Sequence, residues 1–114
     1  MSMYFCDIKD DVRFVILREL EDASFDDCDS IWAIRATILD SVVEAAQHLA
    51  ADEIIEYVQY VILNPQERHE ANISLSDFDD DMTVFQIYGV VVKEAFEQVW
   101  NYALADFLKG VRND

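Results

Sequence analysis

The sequence predicts an all-α fold, a small helical bundle of about four helices with a long C-terminal helix. Three observations carry that expectation. Apolar residues recur every three or four positions through most of the chain, the period of a helix with one buried face. Two glycines and one proline in 114 residues leave few of the turn signals that many short strands need. A hydrophobic share of 53% lets a sizeable core form, whereas disordered acidic chains are poor in aromatic and branched side chains. The length fits a single domain over residues 1–114.

The first helix is written in Ile8, Val12, Val15, Ile16 and Leu20, and it ends near the stretch EDASFDD. The second starts after Asp29 or Ser30, either of which can cap it, and buries Ile31, Ile34, Ile38, Val42, Ala45 or Ala46, and Leu49. AADE at 50–53 continues that helix or opens a third, whose stripe is Ile54, Ile55, Val58, Val61 and Ile62. Asn64-Pro65 stops it, because the residue before a proline disfavours helical geometry. The stretch QERHEANISLSDFDD then reads as a long irregular connection, a kind that often carries function.

The last helix is expected from about Met82 to Leu108, with a stripe of Phe85, Tyr88 or Gly89, Val92, Phe96, Val99 or Trp100, Ala103 and Phe107. TVFQIYGVVV alone is rich in strand formers. The helical period nevertheless runs on through KEAFEQVWNYALADF, so helix is favoured. Gly89 inside it costs about 1 kcal/mol relative to alanine, which close approach of a neighbouring helix would offset. Val84, Ile87, Val90 and Val91 are apolar as well. A helix apolar all round is buried on every side or shared with a second copy, so a homodimer is expected.

Twenty-four acids against eight bases leave a net charge of −16, distributed along the whole chain. Charge of this sign excludes direct binding to nucleic acid or to an anionic membrane and calls for a cationic partner. No stretch reaches the roughly 18 apolar residues of a membrane span. MSMYFCDIKDD has neither the basic nor the apolar region of a secretory leader. Cys6 and Cys28 lack a CxxC arrangement and read as reduced thiols of a cytoplasmic protein.

The acids gather in two clusters, SFDDCDS at 24–30 and SDFDDDM at 76–82. A calcium loop requires oxygens at positions 1, 3 and 5, glycine at 6 and glutamate at 12. Counted from Asp77, positions 6 and 12 are Met82 and Tyr88; counted from Asp27, the third ligand is already Ile31. Neither fits. With only His48 and His69, and no HExxH, glycine-rich phosphate loop or CxxC, neither an enzyme nor a cofactor is expected. The aromatics Trp32, Tyr57, Tyr60, Trp100 and Tyr102 read as core or interface packing. Helix capping and the helix dipole account for one or two acids per helix, at about 0.3–1 kcal/mol each. They leave a surplus among Asp26, Asp27 and Asp29, and among Asp77, Asp79, Asp80 and Asp81.

A compact chain of this length is roughly 35 Å across, and duplex DNA carries about 20 phosphates over that span. The net charge of −16 is close to that count. Carboxylates three or four positions apart on a helix are about 5–6 Å apart. Such groups occur at Asp7, Asp10 and Asp11, at Glu19 and Asp22, and at Asp52, Glu53 and Glu56. A groove lined with Lys and Arg can accept such a surface in place of DNA.

The layout resembles the Ocr family of small acidic phage antirestriction proteins, which are all-helical DNA mimics. The likeness covers most of residues 8 to 108. DSIWAIRATILDSVVEAA is similar to that family's D-D-L-x-x-A-I-x-x-x-A-D-x-x-V segment, with small shifts, at Asp29, Ile31, Ile34, Asp40 and Val43. QIYGVVVKEAFEQVW is similar to its final-helix I-Y…L-W pattern through Ile87, Tyr88, Val99 and Trp100. Trp100 lies about a turn further from the tyrosine than in the family, and the proline opening the family's third helix and its acidic tail are missing. Small acidic anti-CRISPR proteins look similar. The resemblance implies a homodimeric inhibitor of a restriction–modification or CRISPR complex, with Asp26, Asp27, Asp29, Asp77, Asp79, Asp80 and Asp81 standing in for phosphates. An immunity protein that neutralises a cationic toxin such as a nuclease is the alternative expectation, since such partners also meet acidic helical surfaces.

Overall fold

The fold is organised around one long helix. In a computed structural model, residues 4–22, 31–48 and 51–112 are described, and they form α1 (Phe5–Asp22), α2 (Ile31–Ala46), α3 (Ala51–Leu63), α4 (Pro65–Glu70), a 3-10 turn at Leu75–Asp77, and α5 (Val84–Arg112). No strand occurs among the described residues. The 29 residues of α5 make a rod of about 44 Å, nearly the 46 Å length of the whole molecule. Helices α1, α2 and α3 all pack against it. The all-round apolar character of Val84–Val92 is thereby largely absorbed within one chain, with Ile87, Tyr88, Val91 and Val92 buried and Val84 and Val90 half-buried. That part of the sequence does not by itself require a second copy.

Helix α1 buries Phe5, Ile8, Val12, Ile16 and Leu20, a spacing of three and four that keeps one face on α5. Helix α2 contributes Ile34, Ile38 and Val42, and α3 contributes Ile54, Tyr57, Val58 and Val61. Each fully buried side chain of this size is worth about 1.5–3 kcal/mol. Ile55 and Ile62, expected in the stripe of α3, are more than a third exposed, and Tyr57 takes the buried place. Ala46 is half-buried and Ala45 exposed; Leu49 and the side chain of Ile31 lie outside the described residues.

Asn64-Pro65 ends α3 as expected, but the chain does not become irregular there. It opens α4. The Asn64 side chain accepts a hydrogen bond from the Glu67 amide at 3.1 Å, and Pro65 occupies the first turn, where a missing N–H costs nothing. The helix closes with Asn72 in the left-handed region at φ 56°. The Ile73 amide donates to the Arg68 carbonyl and the Asn72 amide to the His69 carbonyl, a Schellman arrangement. Arg68 turns back and donates to the Val61 and Ile62 carbonyls at the end of α3.

The last helix begins two residues later than expected and runs four further. Thr83 and Gln86 explain the start: each amide is satisfied by the other's side chain, at 2.8 and 3.2 Å, a capping box. Tyr88, Val92, Phe96, Trp100 and Ala103 are buried as expected, Val99 and Phe107 are half-buried, and Phe85 is exposed. Around Gly89 a Cβ would meet no neighbouring atom within 4 Å. The close helix approach expected there is absent from the described residues.

Candidate functional site

The proposed partner-binding carboxylates fall into groups with different structural roles. Asp52 and Glu56 lie on α3 opposite its buried stripe and Glu53 at its flank, and all three are exposed. The first two sit in the first turn, where negative charge offsets the positive helix end. Glu19, half-buried, and Asp22, exposed, lie at the other end of α1, where negative charge opposes the dipole and no basic residue occupies the last turn. Capping cannot explain that pair.

In the turn before α5, Asp77 has a local duty: its carboxylate accepts from the Ser74 amide at 2.8 Å. Asp79, Asp80 and Asp81 are exposed, and none takes part in an ion pair among the described residues. Asp26, Asp27 and Asp29 lie outside the described residues. Two acids from different helices act electrostatically on one core tyrosine. The Tyr88 phenol is pushed up to about 12 by burial, then by Asp11 of α1 and Glu53 of α3.

Five of the eight basic residues are engaged in the scaffold, Arg68 on the carbonyls of α3 and four others on α1, α2 and α5. Arg13 pairs with Asp106 and ties α1 to α5. Arg35 pairs with Glu97 at 2.5 Å, and its guanidinium lies 5.0 Å from the Phe96 ring and 5.8 Å from Trp100, so it ties α2 to α5. Lys9 lies over Phe5, and Arg18 over Phe14. None of these neutralises the acidic groups on α3, at the end of α1 or in the turn before α5.

No group of three His, Cys, Asp or Glu side chains among the described residues could hold a metal ion. A polar cleft of about 250 Å³ brings Ser74, His69 and Asp77 together, the residue types of a nucleophilic triad. The connectivity is wrong: the Ser74 hydroxyl bonds the Ser76 hydroxyl at 2.7 Å, and no hydrogen bond joins His69 to Ser74 or Asp77. His48 and Cys6 are exposed and Cys6 is a free thiol. No described helix is long and apolar enough to cross a membrane.

Tyr57 and Trp100 are core residues, as expected of the aromatics. Trp32, Tyr60 and Tyr102 are exposed, together with Tyr4 and Leu63. One buried polar residue was not expected at all. Glu67 is 4% exposed, accepts from the Phe5 amide at 2.5 Å, and lies 3.4 Å from the Tyr57 hydroxyl. A carboxylate from α4 thus caps the start of α1, where the helix end favours negative charge. Its signal in the sequence is only an acid three residues after an Asn-Pro helix start.

No protein-family model, curated protein or solved structure matches this chain.

Proposed function

We propose that this protein is a DNA mimic of phage or mobile-element origin that inhibits a host restriction–modification or CRISPR complex by filling its basic DNA-binding groove. The observation that carries the proposal is the uncompensated acid: carboxylates stand where they oppose a helix dipole, or where three follow in sequence, and no ion pair among the described residues reaches them. Shape supports it. A body of 46 × 25 × 25 Å spans about 13 base pairs of duplex, with acidic groups contributed by α1, α3 and the turn before α5. The protein acts without catalysis or cofactor, in the bacterial cytoplasm, and as a homodimer it would double the length of mimicked duplex.

The test is competition. The protein is added to purified restriction and CRISPR effector complexes, and binding of labelled duplex is followed at increasing salt. Inhibition should weaken steeply with salt and be relieved by excess DNA. A variant with Asp52, Glu56, Asp80 and Asp81 changed to lysine should keep its helical content and lose inhibition. Full inhibition by that variant would refute the proposal. Binding to a cationic toxin that leaves all DNA-binding complexes active would assign the acidic surface to immunity.

A further inference from the structure

Within the acidic surface two exposed aromatic rings from different parts of the chain meet. Tyr4 and Tyr60 meet edge to face, with ring centroids 5.7 Å apart and an interplanar angle of 78°. Both stay exposed, at 43% and 36%, and Leu63, one turn beyond Tyr60, is 81% exposed. Carboxylates surround them. Asp7 accepts from the Tyr4 amide at 3.0 Å, Glu56 lies one turn before Tyr60, and Glu70 is near enough to Tyr60 to help raise its phenol pKa, after desolvation, Glu67 and Tyr4. An apolar partner would have to strip water from these acids without compensating them. A cation would not.

The chain already shows the preferred contact, with Lys9 over Phe5, Arg18 over Phe14 and Arg35 over Phe96 and Trp100. No cation of the described residues lies over Tyr60. We propose that Tyr4, Tyr60 and Leu63 form an anchor for an arginine side chain of the cationic partner: the guanidinium plane stacks on Tyr60, its stem covers Leu63, and Glu56 and Glu70 receive its charge. Arginine fits better than lysine because its planar, weakly hydrated cation stacks on rings. The anchor supplies orientation that spread-out carboxylates lack, as buried aromatic contacts do in other interfaces. It rests on the proposal that the acidic surface meets a basic groove.

The test uses the full chain, isotope-labelled for NMR, titrated at low salt with a short oligoarginine peptide and with oligolysine of equal length. Oligoarginine should shift the resonances of Tyr4, Tyr60 and Leu63 and bind more tightly than oligolysine. Tyr60→Leu, which keeps an apolar side chain on an exposed helix face, should weaken oligoarginine binding about two- to fivefold, and Tyr60→Phe should preserve it. If Tyr60→Leu binds as well as the parent and shifts are confined to Asp52, Glu53 and Glu56, the anchor is overturned while the acidic surface stands. Absence of binding by either peptide overturns both. A dimer that Tyr60→Leu dissociates would give the anchor to a second copy of the chain and overturn the arginine.

Discussion

Replacing Glu67 by alanine should destabilise the fold by about 3–4 kcal/mol. The carboxylate is almost fully buried and is the partner of the Phe5 amide at 2.5 Å, 62 positions away in sequence. Hydrogen bonds to charged groups are worth about 1.5–3 kcal/mol, and a buried donor left unsatisfied costs about 1–3 kcal/mol. The Tyr57 hydroxyl, at 3.4 Å, adds the smaller share. Loss of the carboxylate also removes favourable charge at the start of α1. A domain of this size has about 5–15 kcal/mol in total, so the substitution removes a large fraction. Glu67→Gln keeps an acceptor and should cost about half as much. Glu70→Ala, on the same helix but exposed, should change stability by less than about 0.5 kcal/mol. Urea denaturation measures all three, with a lowered midpoint and an unchanged slope expected for Glu67→Ala. If Glu67→Ala and Glu70→Ala prove equally stable, the carboxylate is not holding α1.

Gly89→Ala should stabilise the chain by about 0.5–1 kcal/mol, because the added methyl meets nothing within 4 Å and the unfolded chain loses freedom; a fall in Tm would show that the space is taken. Stability should decline at alkaline pH. The phenols of Tyr57 and Tyr88 are raised in the folded state, mainly by burial, so their contribution is complete below the ordinary tyrosine value of about 10. It is lost for Tyr88 as pH climbs through about 12, and tyrosinate absorbance should rise together with unfolding. Asp77→Ala should lower stability by up to about 1 kcal/mol by freeing the Ser74 amide, whereas Asp80→Ala should be neutral or stabilising in the same thermal melt. Equal losses at the two positions would contradict the division between structural and surplus acids.

The helical period made most of the core legible. Ile8, Val12, Ile16 and Leu20 are buried as the spacing requires, and Tyr88, Val92 and Phe96 follow the same rule in α5. The period failed where it was short. Six residues cannot display one, so α4 was invisible to it, although Asn64 followed by Pro65 is as much a helix start as a stop. Thr83 and Gln86 were a readable start signal for α5, spaced as a capping box. The acidic surface was legible as a count, since charge is additive along a chain. Its division was not, because Asp77 and Asp80 differ only in whether an amide lies within reach. The joint effect of Asp11 and Glu53 on Tyr88, and the burial of Glu67, depend on packing between distant elements that no local pattern encodes.

Only the exposed carboxylates respond to salt, and this connects the fold to the proposed activity. Glu67 is buried against α1, where mobile ions do not reach, so its contribution should hardly change with ionic strength. The exposed acids repel one another across the surface, a repulsion that fades once the Debye length falls to about 10 Å near 0.1 M salt. Added salt should therefore raise Tm. The same screening removes the attraction for a basic groove and should lower inhibition over the same range. Acids that served only stability would make both quantities rise or fall together. Opposite slopes are what a surface kept for its partner, at some cost to the folded chain, must produce.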